Sequence, residues 1–152
     1  MTSSDQPNRV EYRAERSYEV AASPEQVWDA IATADGIAAW MVPTKLDPQI
    51  GGEVSFDIGD FTSTGVVTDY TPNHRFAYEE PWPLIGDHDF STVAPLATEF
   101  LVESLSGGSC VIRVVSSSYG SGADWEQEFF DEMAEGWFEM LDNLPVYLDK
   151  QT

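Results

Sequence analysis

Ala123-Asp-Trp125-Glu-Gln-Glu128-Phe-Phe130-Asp-Glu-Met133-Ala-Glu-Gly136-Trp137-Phe-Glu-Met-Leu141-Asp-Asn-Leu144-Pro145-Val-Tyr-Leu148-Asp-Lys-Gln-Thr152 closes the chain and decides its fold. Phe130, Met133, Trp137, Leu141, Leu144 and Leu148 recur every three or four residues, which places them on one stripe of a helix. The opposite side is almost wholly acidic. A helix from Asp124 to Leu148 is roughly 37 Å long at about 1.5 Å per residue, enough to span a small domain. The rest of the chain has to supply a concave surface for the stripe. Leu144-Pro145 is the one local conflict, because proline removes the N–H that would bond Leu141 and disfavours helix at the residue before it. A kink or break is expected there.

Outward from this helix the period changes to two, the signature of sheet. Val54, Phe56 and Ile58 alternate with Glu53, Ser55 and Asp57, and Phe61 to Tyr70 follows as a second strand across a tight Gly59-Asp60 connection. Pro72-Asn73-His74 turns the chain into Arg75 to Glu80, with Phe76 and Tyr78 on one face and Ala77 and Glu79 on the other. Pro81 to Pro95 is irregular, rich in proline, glycine and aspartate. Thr98 to Leu105 and Cys110 to Ser117 then form a hairpin around Ser106-Gly-Gly-Ser109, and Gly120 to Gly122 loosens the backbone before the last helix.

At the other end, Met1 to Asn8 reads as a flexible tail (residues 1–8) and Arg9 to Val20 as a first strand. Ser23-Pro24-Glu25-Gln26 has the form of a helix start: a serine cap, a proline whose missing N–H costs nothing, and a glutamine at the capping-box position. Val27, Trp28 and Ile31 give that helix its buried side, and Asp35-Gly36 is expected to break it before a short turn carrying Ile37 and Trp40. The order predicts an α+β fold, with residues 9–150 as one domain. Its parts are a curved antiparallel sheet of six to seven strands, two short helices after the first strand, and a long C-terminal helix.

Composition narrows the function classes. A chain of 152 residues with 42% hydrophobic content can bury a real core. The net charge of -20 repels phosphate backbones, so nucleic acid is not an expected partner. No apolar run approaches the ~20 residues of a membrane span, and the first residues lack the character of a signal peptide. A cytoplasmic protein is expected. Cys110 is the only cysteine and sits in an apolar run, which excludes disulfide frameworks and cysteine-rich zinc sites.

Four segments occur in order: Val20-Ala-Ala-Ser-Pro-Glu-Gln-Val-Trp28-Asp-Ala-Ile31, Gly36-Ile-Ala-Ala-Trp40, Gly51-Gly-Glu-Val54, and Glu135-Gly136-Trp137-Phe-Glu-Met-Leu141-Asp-Asn143-Leu144. Together they resemble the bacterial activator-of-Hsp90-ATPase-homologue family of the START-like (SRPBCC) superfamily, over nearly the whole of Tyr12 to Leu148. The resemblance implies a helix-grip fold, a curved sheet holding a C-terminal helix, often with an apolar cavity between them. It also implies structural roles for Trp28 and Trp40 in packing the short helices, and for Gly136 in letting the long helix approach another backbone closely. Pro145 departs from the family pattern, which carries an ordinary helix former there.

No catalytic constellation stands out. The chain lacks a Gly-x-Ser-x-Gly elbow, a His-Glu-x-x-His pair and a phosphate loop. His74 belongs to a turn, and Asp87-His88-Asp89 offers three adjacent residues that rarely converge on one ion, so neither a metal nor a cofactor is expected. Aromatic side chains are plentiful on the facing elements and can either line a cavity between sheet and helix or fill it as plain core. Phe56, Tyr78 and Phe100 alternate toward the helix, Met133 and Trp137 face back, and Trp40 neighbours them, so these residues are the candidate lining. Arg113 is a further candidate with two readings: inward it anchors an acidic ligand, and outward, the preferred reading, it is a surface charge. Three functions follow. A hydrophobic small molecule held between sheet and helix is the first, and a co-chaperone-like partner of an Hsp90-type ATPase, from the resemblance alone, is the second. A cyclase-like enzyme using Tyr78, Asp60 or Arg113 is the weakest. Both a monomer and a homodimer are compatible with the sequence.

Overall fold

Alternating side chains and tight turns build one seven-stranded antiparallel sheet in this computed structural model, which describes residues 10–82 and 87–150. The tail expected at residues 1–8 lies outside them. The strands are β1 (Val10–Val20), β2 (Thr44–Leu46), β3 (Glu53–Asp57), β4 (Thr62–Thr71), β5 (Arg75–Glu80), β6 (Leu96–Ser104) and β7 (Cys110–Gly120). Their order is β1-β7-β6-β5-β4-β3-β2, so β2 to β7 form a meander and β1 joins beside β7. Cys110, Ile112 and Val114 are buried while Arg113 between them is exposed, as the pleat requires. β2 escaped the sequence reading because three residues are too short to show a period. A bulge between Val67 and Asp69 interrupts the register of β4 with β5, a device that bends and twists a sheet.

The helix start at Ser23 forms as read. In α1 (Pro24–Ile31) the Gln26 N–H donates to Ser23 Oγ at 3.1 Å, and the Ser23 N–H donates to Gln26 Oε1 at 2.9 Å. The expected break at Asp35-Gly36 is corrected: α1 ends at Ile31 with Ala32 as its cap, and α2 (Ala34–Trp40) starts after Thr33, whose Oγ1 accepts from the Gly36 N–H at 3.0 Å. Gly36 lies inside α2 because a Cβ there would stand 1.7 Å from the Asp29 carbonyl oxygen. It is a residue of close approach, and the capping threonine is what separates the helices.

The C-terminal stripe is carried by α3 (Asp124–Leu141) and α4 (Asn143–Lys150), which meet at Asp142, three residues before Pro145. The break therefore falls one turn earlier than expected. Proline withholds its N–H from the carbonyl one turn back, so the opening appears in the turn before it. Asp142 keeps a helical backbone, its N–H reaching Phe138 O at 3.0 Å, so the axis bends without unravelling. Tyr18 Oη donates to Asp142 at 2.6 Å and Asn143 Nδ2 to Trp40 O at 3.4 Å, fixing the bend to β1 and α2.

The apolar interior divides in two. One cluster packs α1, α2 and α4 on the sheet through Trp28, Ile31, Phe76, Phe100, Leu141, Leu144 and Leu148. The other joins Tyr12, Trp82 and Phe130, with Trp125, Phe129 and Met133 against it. His88, stacked on Trp125 with centroids 4.3 Å apart, adds the irregular segment to this second cluster. Among the described residues no helix is long and apolar enough to cross a membrane.

Candidate functional site

A cavity of about 430 Å³ lies between α3 and the inner face of β3 to β7, bordered by both halves of the core. Phe56, Tyr78, Leu96, Phe130, Met133 and Trp137 give it apolar walls. Ile58 and Phe61, at 40% and 38% exposure, carry that lining outward at the tip of the β3–β4 hairpin. Its volume falls in the range of small-molecule pockets, about 300–1,000 Å³, and is roughly three times one known to hold benzene.

The floor is polar at one end of the sheet. Register aligns Tyr78, Thr98 and Ser116 across β5, β6 and β7, while Ser63 on β4 and Glu80 at the end of β5 complete the group. Glu80 follows Phe76 and Tyr78 on the inner face by strand alternation, and Ser63 Oγ donates to its Oε1. Burial pushes the Glu80 carboxyl above the usual range, with the Ser63 bond acting in the opposite direction. Burial and the neighbouring Glu80 charge push the Tyr78 phenol well above its ordinary value, opposed by a Thr98 hydrogen bond. On α3, the Trp137 indole N–H is buried without a hydrogen-bond partner among the described residues. The site thus offers an acid and hydroxyls among aromatic rings.

The candidate residues divide by position. Phe56, Tyr78, Met133 and Trp137 stand together around the cavity. Trp40 and Phe100 do not line it but pack behind Trp137, with ring centroids 6.5 Å and 6.2 Å away. Trp40 is further held by donating from Nε1 to Ala30 O at 2.8 Å. Arg113 takes the outward of its two readings, on the far face of β7 beside Glu15, and its place in the cavity is corrected accordingly. Asp60 is likewise outside the lining. The close approach expected at Gly136 is also corrected: a Cβ there would meet nothing within 4 Å, and the glycine is exposed where it borders the cavity. The sequence reading missed Glu80, although continuing the alternation of Phe76 and Tyr78 by one step finds it.

A second carboxylate, Glu126, is fully buried and serves the frame around the site. It accepts from Tyr12 Oη at 2.7 Å, Thr92 Oγ1 at 2.7 Å, Ser121 Oγ at 2.8 Å, Gly122 N at 2.9 Å and Ser121 N at 3.3 Å. Burial alone pushes it upward, but these bonds outweigh burial and hold its pKa at about 2. A Cβ on Gly120 would come within 2.2 Å of its Oε1, so glycine makes the room. The carboxylate joins β1, the loop after β7 and the Phe90–Thr92 turn to the first turn of α3, where negative charge is favoured. Among the described residues no group of three or more His, Cys, Asp or Glu is arranged to hold a metal ion.

Comparison with solved structures extends the same geometry to other chains. Protein MLL2253 from Mesorhizobium loti superposes with a TM-score of 0.77 at 15% identity, covering 93% of this chain and 99% of that one. The Aha1 dimer from Colwellia psychrerythraea gives 0.70 at 19% identity over 91% and 96%. Norcoclaurine synthase from Thalictrum flavum, in complex with dopamine and hydroxybenzaldehyde, gives 0.65 at 15% identity over 97% and 91%. These likenesses establish a shared helix-grip fold. Among curated proteins nothing matches. Residues 21–149 match the family described as Activator of Hsp90 ATPase homolog 1-like protein, and the chain therefore belongs to that family.

Proposed function

We propose that this chain is a cytoplasmic binding protein for a small apolar or aromatic molecule, held between α3 and the sheet. The observation that carries the reading is the cavity itself. A gap of about 430 Å³ between two packed clusters, apolar on its walls and polar on its floor, has the composition of a ligand site. The small aromatics held by the Thalictrum flavum protein lend support from the same fold. Binding requires no catalytic group, and none is assigned.

Nile red, a neutral dye whose emission rises in apolar surroundings, tests this. Saturable 1:1 binding is expected for the wild type and its loss for Gly136→Leu, which places a side chain where nothing now stands within 4 Å. Leucine is also the better helix former by roughly 0.5–1 kcal/mol, so the variant should remain folded by circular dichroism. Equal dye binding by both proteins, or none by either, would count against the reading.

The family description favours one competing function, a co-chaperone-like domain acting on an Hsp90-type ATPase, as monomer or homodimer. Co-purification with an Hsp90 ATPase and a change in its turnover would support it. No association at tens of micromolar would end it.

A further inference from the structure

We propose that the pocket selects a hydrophobic amine: a ligand of two or three rings whose ammonium group sits against Glu80. This rests on the binding function proposed above and names the ligand class. The first argument is the charge inside the pocket. Among the described residues its lining contains two carboxyl groups, the half-buried Glu80 and the exposed Glu132, and no lysine, arginine or histidine. A fatty acid or other carboxylate entering there would meet like charge without a countercharge.

The surroundings of Glu80 carry the second argument. One carboxyl oxygen accepts from Ser63, and the other has no protein hydrogen-bond donor among the described residues. Glu80 is half-buried and that second oxygen is not sealed from solvent, so it is open to a further donor. An ammonium group brings up to three donors and the opposite charge. Among the described residues the other polar groups of the pocket supply no cation: Tyr78 and Ser63 come from β5 and β4, Thr98 from β6, Ser116 from β7, and Glu132 from α3.

The arginines of the described chain are engaged elsewhere. Arg75 pairs with Asp69 and Glu99, Arg13 and Arg113 share Glu15, and Arg16 reaches Asp142. Among the described residues no arginine pairs with Glu80. A net charge of -20 adds a field that draws cations and repels anions on approach. Phe56 and Tyr78, with ring centroids 5.3 Å apart, supply aromatic surface near the carboxyl, where an organic cation gains further from ring faces.

Three matched probes decide the matter by competition with Nile red: 2-(2-naphthyl)ethylamine, 2-(2-naphthyl)ethanol and 2-naphthylacetate. In the wild type the amine is expected to bind about 10- to 100-fold tighter than the alcohol, the range of a charge-assisted hydrogen bond, and the carboxylate weakest. Glu80→Gln should erase the amine's advantage while keeping the alcohol's affinity. Glu80→Met is the second variant should the first fail to fold, with the same expectation.

Equal binding of amine and alcohol, or displacement by none of the three, would overturn the amine assignment and leave the pocket standing. An amine preference that survives both substitutions would place its origin in the general field and overturn the role of Glu80. Absence of Nile red binding would remove the underlying pocket function, and this proposal with it.

Discussion

Glu126 shows how one residue can be hidden by the face it is assigned to. It lies four positions before Phe130, on the same stripe as Met133 and Trp137, yet its acidity groups it with the solvated side of the helix. In the fold it is fully buried and receives five hydrogen bonds. Its carboxyl is held at about 2 against an ordinary 4.5. A depressed folded value stabilises the fold above the unfolded pKa, and that stability is lost as pH falls from about 4.5 toward 2. Glu126→Gln turns one acceptor into a donor facing donors and should cost about 2–4 kcal/mol at neutral pH. Urea titrations should show that loss, together with a shallower decline between pH 4.5 and 2 than in the wild type. Equal stability of the two proteins would refute the clamp.

At the scale of elements, α3 combines an inner face that leaves a cavity with an outer face of concentrated charge. Asp124, Glu128 and Glu132 form one exposed row at four-residue spacing, and Asp131, Glu135 and Glu139 form another. Each like-charge pair costs a few tenths of a kcal/mol, and salt screens pairs at the surface. The melting temperature is expected to rise between low salt and ~0.5 M NaCl. A flat or falling value would show that these repulsions are unimportant. Strands and helices of ordinary length were legible from their periods. The exceptions have local causes: β2 is too short to show alternation, Gly36 serves a backbone contact rather than a helix stop, and Pro145 acts one turn before its own position.

Across the whole molecule, the antiparallel meander and the bend of the last helix are legible in the sequence pattern, whereas the place of β1 beside β7 and the cavity are not. Inward-facing aromatics can fill a core or border a void, and periodicity treats the two alike. Trp40 and Phe100 turned inward yet became packing behind Trp137, while Gly136, read as a packing glycine, borders open space. What distinguishes them is the fit between clusters, a property of three dimensions. The indole N–H groups give a way to watch that space. Trp40 and Trp82 donate to Ala30 O and Ser118 Oγ, whereas the Trp137 N–H has no partner among the described residues. A 1H–15N titration with 2-(2-naphthyl)ethanol reads them separately. Saturable shifts of the Trp137 indole signal and of the α3 amides near Met133 and Gly136, with the Arg113 amide unmoved, are the expected result. An unmoved Trp137 signal up to the solubility limit of the probe would contradict a ligand site beneath α3.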